Sequence, residues 1–286
     1  MKKERAKMLV SLINEAYLLK KGVFKIVDNL LEFQIPKAIE YGSIEHARFY
    51  FYLIFNDHGT KSIRLYEKFK NLYDNHNHIF IPTKVIKEYA DREELFREKF
   101  MLNQGLRYPT QASKSWIENS KLLVESYGGE PINLFQSTNN AVELFKRIRK
   151  FRSYGPKTSG LLLRVILGVG FNRKLKNIKD VPLPVDIHDS RIAFICGIYN
   201  PSGVENINEI YSSPKHIKNI SILWKEAAED IEVKWEEIDR ALWLLGSIGC
   251  VNKFCLECPI NEFCQVGKEI LRNEINLFNY SALQHR

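Results

Sequence analysis

The residues best equipped for chemistry sit in two places. Toward the C-terminal end, four cysteines fall within fifteen positions, as Cys250-x4-Cys255-x2-Cys258-x5-Cys264, while a fifth, Cys196, stands alone inside an apolar run. Thiolates this close in sequence can wrap one compact inorganic centre. They are badly spaced for two independent disulfides across a large fold. Four-thiolate sites serve zinc and iron–sulfur clusters alike, so the spacing leaves that choice open. The second place is the tract from Lys146 to Lys179. It holds Lys146, Arg147, Arg149, Lys150, Arg152, Lys157, Arg164, Arg173, Lys174, Lys176 and Lys179, and no Asp or Glu. A neutral surface helix intersperses acids with bases, so a one-sign tract of this length points to phosphate binding.

The centre of the tract reads Phe151-Arg-Ser-Tyr-Gly-Pro-Lys-Thr-Ser-Gly160. The pattern predicts a helix ending near Phe151, a tight turn, and a new helix opening at Pro156, because proline suits the first helical position. Backbone N–H groups at such a helix start, with the helix dipole behind them, form a phosphate cradle. Downstream comes Leu183-Pro-Val-Asp186-Ile-His-Asp189-Ser-Arg-Ile-Ala193. An Asp just before a helix is an N-cap worth ~0.5–2 kcal/mol, and a capping carboxylate is also a fixed one.

These groups need a scaffold, and the rest of the chain describes it. At 286 residues, with 45% hydrophobic content, the chain supports two lobes with a real core. The net charge of +8 and a pI near 9.1 suit a polyanionic partner. Apolar residues recur at helical spacing over 47–54, 62–72, 115–127, 141–151, 158–167, 191–198, 221–228 and 235–247. Breakers separate these runs, among them Asn56-Asp57-His58-Gly59, Gly128-Gly129 and Val181–Pro184. Gly168 and Gly170 end a helix. The class is all-α. The basic N-terminal stretch reads as an amphipathic helix, since Asn14 and Glu15 interrupt it and no cleavage site follows. No window reaches the length of a membrane span. A cytoplasmic protein follows as the expectation, and reduced thiols there favour metal over disulfide.

The tract around Lys157 resembles the hairpin of the helix-hairpin-helix DNA glycosylases, the endonuclease III superfamily. That hairpin is an apolar residue, Pro, Gly, an apolar residue, Gly, a variable residue, Lys, Thr, Ala. Gly155, Lys157 and Thr158 match it, while Arg152 and Ser153 replace the proline and first glycine. The element from Val185 to Arg191 resembles the one carrying the family's essential Asp. Trp116–Tyr127 resembles a barrel helix, and Phe51–Lys61 the helix and loop bearing the DNA-penetrating residue. The Cys255-x2-Cys258-x5-Cys264 part matches endonuclease III, with x4 in place of x6 before it. Lys157 and Asp186 stand twenty-nine positions apart. This spacing is longer than in most of the superfamily and similar to that of archaeal 8-oxoguanine glycosylases.

The resemblance implies a helical barrel over 39–181, with its hairpin at 151–160. Residues 1–38 and 182–286 form a second helical lobe carrying a [4Fe–4S] cluster in loop 250–264, on Cys250, Cys255, Cys258 and Cys264. It makes Lys157 the nucleophile and Asp186 the acid, with Asp189 as rival and His188 as a packing or phosphate residue. Arg152, Ser153, Tyr154, Gly155 and Thr158 would meet the DNA backbone, and His58 would enter the duplex. The partner would be double-stranded DNA with a damaged base, bound by a monomer. The activity would be a bifunctional glycosylase and AP lyase acting on 8-oxoguanine or an oxidised pyrimidine. A monofunctional glycosylase and a non-catalytic DNA-binding module with a zinc knot are the alternatives. Cys196 would be a buried thiol outside the ligand set.

Overall fold

The computed structural model of the chain describes residues 2–57 and 59–272. They belong to two compact units, one from Met1–Asp28 and Pro182–Arg286, the other from Asn29–Val181. Helix α1, Lys2–Leu18, opens the first unit.

The second unit carries α2 (Ile44–Ile54), α3 (Ser62–His76), α4 (Pro82–Tyr89) and α5 (Glu93–Phe96), which runs into a π turn at Arg97–Met101. It continues through α6 (Pro109–Tyr127), α7 (Pro131–Gln136), α8 (Ala141–Ile148) and α9 (Pro156–Gly168). Four of these helices open on proline, where its missing N–H is not needed. Hydropathy spacing predicts neither α4 nor α7. Both begin at a proline, so the signal that marks Pro156 would have located them too.

Helix α2 is the axis of this unit. Ser43 caps it by accepting from the His46 N–H at 3.1 Å, and every residue from Phe49 to Ile54 is buried. A helix apolar on all sides belongs in a core. Trp116 of α6 stacks on Tyr52 with centroids 4.4 Å apart, and Phe55, Phe69, Phe80 and Phe96 surround it at 5.2 to 5.9 Å. Its indole N–H donates to the Ile79 carbonyl at 2.8 Å. Among the described residues there is no β-strand, and one isolated bridge joins Asn140 to Lys176. That bridge ties the segment after α9 to the start of α8, through Ala141 N–H to Lys176 O at 2.9 Å and Lys176 N–H to Asn139 O at 2.8 Å.

The first unit is built from both parts of the chain. It adds α10 (Ile187–Ile195), α11 (Ile207–Tyr211), α12 (Pro214–Glu229) and α13 (Trp235–Leu244), followed by a π turn at Leu245–Cys250. Helix α1 buries Ala6, Leu9, Val10, Ile13 and Ala16, a stripe at three-to-four spacing, and packs on α12 and α13. No helix of the described residues is long and apolar enough to cross a membrane.

Candidate active site

The hairpin keeps its turn without the residues that usually make it. Helix α8 stops at Ile148, short of the end that periodicity predicts, and the chain turns through Phe151–Tyr154 into α9. Ser153 stands where the resemblance puts the first glycine, and its φ is 64°. A left-handed L-residue costs roughly 1–2 kcal/mol. Two side chains of α6 offset that cost: the Ser153 hydroxyl lies 2.8 Å from Ser115 Oγ and accepts from Gln111 Nε2 at 3.1 Å. Asn119, buried in the same helix, clips the residue before it. Its Oδ1 accepts from Arg152 N–H at 2.7 Å, and its Nδ2 donates to Arg152 O at 3.0 Å.

Two of the expected DNA contacts turn inward. Tyr154 is buried, donates its hydroxyl to Phe51 O at 2.6 Å, and packs on the rings of Phe51 and Phe55. The Thr158 hydroxyl is also buried and donates to Ser153 O and Gly155 O at 3.2 and 3.3 Å. Both side chains hold the hairpin's shape instead of facing solvent. Arg152 is exposed, 3.3 Å from Glu118. A Cβ placed on Gly155 would meet no protein atom within 4 Å, so the backbone there borders open space. His58 lies outside the described residues. Beside the hairpin, Asn56, Arg107, Tyr108, Gln111 and Ser153 line a small pocket together with Phe55, Leu106 and Ala112.

Lys157 is the second residue of α9. Its amine is 3.1 Å from Asp57 Oδ2, the lysine side chain 30% exposed and the carboxylate 12%. Asp57 reads in the sequence as part of a loop breaker, and no local pattern links it to a residue a hundred positions away. Other cations of the basic tract also meet acids from elsewhere. Arg164 pairs with Glu32 at 2.7 Å in a buried bridge, and Arg152 with Glu118. Arg147 binds Glu143, an acid just before the tract begins. Lys146, Arg149, Lys150, Lys174, Lys176 and Lys179 remain exposed.

In the first unit, Asp186 caps α10. Its Oδ1 accepts from His188 N–H at 2.7 Å, and its own N–H donates to Asp189 Oδ2 at 2.8 Å, a reciprocal capping box. Both acids are buried. Burial, then the charges of Asp186 and Asp239, push the Asp189 carboxyl well above the usual range. Asp189 supplies the reciprocal contact of the box. His188 packs against Gly246, where a Cβ would come within 2.7 Å of its own.

The cysteine loop follows the π turn. Cys250, Cys255 and Cys258 are half-buried, Cys264 and Cys196 are buried, and none is in a disulfide. Gly267 N–H points at Cys264 Sγ from 3.3 Å. Burial and the neighbouring thiols push Cys250 up to about 12; burial chiefly raises Cys258 to about 11. A hydrogen bond with Cys196 is the main cause holding Cys264 down at about 6. Arg5 of α1 donates to Phe263 O at 2.9 Å and so secures the loop. Among the described residues no three Cys, His, Asp or Glu side chains close on a single metal ion. Four soft thiols in one loop are the donor set that zinc and iron–sulfur clusters share.

No protein-family model and no curated protein matches the chain. Solved structures do. A trapped endonuclease III–DNA covalent intermediate, an estranged-adenine complex, aligns at TM-score 0.51 and 14% identity, covering 87% of this chain and 95% of that one. A thermostable thymine-DNA glycosylase aligns at TM-score 0.54 and 13% identity, covering 93% and 98%. At such low identity the likeness speaks for the backbone, and both chains are covered nearly end to end. The chain therefore has the all-α fold of the helix-hairpin-helix DNA glycosylases.

Proposed function

We propose that this protein is a DNA glycosylase of base excision repair with AP lyase activity, acting as a monomer on duplex DNA that carries an oxidised base. One observation carries the reading: the hairpin turn survives without its usual glycine and delivers a lysine to the first turn of the following helix, beside a carboxylate. A buried contact would need no such turn, and a plain phosphate contact would need no partner acid.

In this reading the exposed hairpin backbone at Gly155 and the side chain of Arg152 hold the DNA strand, with Lys174 and Lys176 adding charge. The target base leaves the stack before reaction. Lys157, as a neutral amine, attacks C1′ of the target nucleotide. The C1′–N bond breaks, and its electron pair leaves with the base. Ring opening gives a Schiff base on Lys157, and elimination of the 3′ phosphate cuts the strand. Asp186, fixed by its cap, supports positive charge on the sugar. Cys250, Cys255, Cys258 and Cys264 would hold a [4Fe–4S] cluster whose role is to shape the loop. Among oxidised bases the reading favours 8-oxoguanine, on the length of the Lys157–Asp186 segment.

Borohydride reduction tests the centre of the proposal. Wild type should be trapped on DNA as a covalent adduct, and Lys157→Ala should lose trapping while keeping duplex binding. Undiminished trapping in that variant would point to Lys174 or Lys176 instead. Duplexes carrying 8-oxoguanine, thymine glycol or a mismatched thymine, assayed in single turnover, assign the base. The purified protein should be yellow-brown, with iron and acid-labile sulfide in about equal amounts. A colourless protein holding one zinc would overturn the cluster.

A further inference from the structure

A lysine cannot attack carbon while it is an ammonium ion, because the nitrogen then has no free electron pair. The group that removes the proton has to touch Nζ. Asp57 does, through Oδ2 at 3.1 Å. Its other oxygen lies 3.4 Å from the Ser62 hydroxyl, and its N–H donates to Ile54 O at 3.1 Å, so the residue is fixed between the end of α2 and the start of α3. Tyr66 of α3 interacts electrostatically with Asp57 and with the Arg164–Glu32 pair. Burial pushes the Tyr66 phenol up and keeps it protonated. Arg164 has no acceptor to offer.

We propose that Asp57 is the base that takes the proton from Lys157 before attack. The inference rests on the reading of Lys157 as nucleophile. One N–H bond of the ammonium breaks, and an O–H bond forms on Asp57. The pair left on Nζ then makes the bond to C1′. On an abasic sugar that carbon is an aldehyde, and its oxygen leaves as water when the imine forms. Bound DNA would exclude water from a pair already largely shielded. Low polarity disfavours two facing charges more than a neutral amine beside a neutral acid. That shift makes the transfer accessible when substrate is present.

Asp57→Asn keeps the shape and the contact with Ser62 but cannot accept a proton. The readout is single-turnover borohydride trapping on a duplex with one abasic site, which needs no base excision, followed from about pH 6 to 9. At neutral pH the variant should be roughly 10²–10⁴ slower than wild type, the usual worth of proton-transfer help. Its rate should then climb about tenfold per pH unit, as hydroxide replaces the missing base, on a steeper slope than wild type. Asp57→Glu should recover part of the rate. Asp57→Ser provides the same test if the amide variant folds poorly. A rate equal to wild type, or a loss by one factor at every pH, overturns the role of Asp57. If Lys157→Ala abolishes trapping while Asp57→Asn is unaffected, this inference alone fails. If Lys157→Ala is trapped normally, the nucleophile assignment fails first.

Discussion

Helix α9 carries two ion pairs seven residues apart, on one face, and they differ in kind. Arg164 and Glu32 meet at 2.7 Å with side chains 10% and 4% exposed. Lys157 and Asp57 meet at 3.1 Å, nearer the surface and at the helix start. An arginine keeps its charge in any protein setting, and its planar fork suits a permanent partner. A lysine is a compact charge that can be removed. The first pair can only hold the fold together. The second can hold a group ready and then release it. Pairing alone therefore says little about role; burial and the chemistry of the cation separate the two.

Asp186 offers the largest test of that distinction. By burial it belongs with Glu32, but by assignment it belongs with Lys157. Asparagine caps about as well as aspartate, so Asp186→Asn should leave the melting temperature nearly unchanged. Trapping on abasic DNA should fall by about 10²–10⁴. Near-normal turnover would leave Asp186 only its cap and make burial the better guide.

Breaking the buried pair should do the reverse. Glu32→Gln leaves Arg164 without its carboxylate and should cost about 3–5 kcal/mol in denaturant unfolding. Trapping per folded molecule should stay at the wild-type level. If it drops in step with Asp57→Asn, both pairs serve the reaction and the contrast along α9 collapses.

The smallest effect concerns the turn that delivers Lys157. Ser153→Gly relieves roughly 1–2 kcal/mol of left-handed strain but loses the hydroxyl contacts with Ser115 and Gln111, worth about 1 kcal/mol each. Its stability should stay within about 1 kcal/mol of wild type. Ser153→Ala keeps the strain, loses the contacts, and should be about 1–2 kcal/mol less stable. Equal stabilities for Gly and Ala would mean that the left-handed turn carries no strain, and an Ala variant as stable as wild type would mean that the serine contacts do not hold the turn.

What could be read from the chain alone shares one property: it depends on neighbours in sequence. Helical spacing, prolines at helix starts, glycines at helix ends, the cap at Asp186 and the run of cysteines are all local patterns. Together they specify an all-α chain and the hairpin ahead of Lys157. The surroundings of that lysine are a different matter. Asp57, Asn119 and Glu32 reach Lys157, Arg152 and Arg164 across 100, 33 and more than 130 positions, and none sits in a pattern that names its partner. Only the packing of α2, α6 and α9 around one aromatic core brings them together. The basic tract shows the same divide. Its own composition lacks acids, yet the fold supplies them from elsewhere. A one-dimensional count therefore overstates the free charge, because sequence records which charges exist while tertiary packing decides which of them meet.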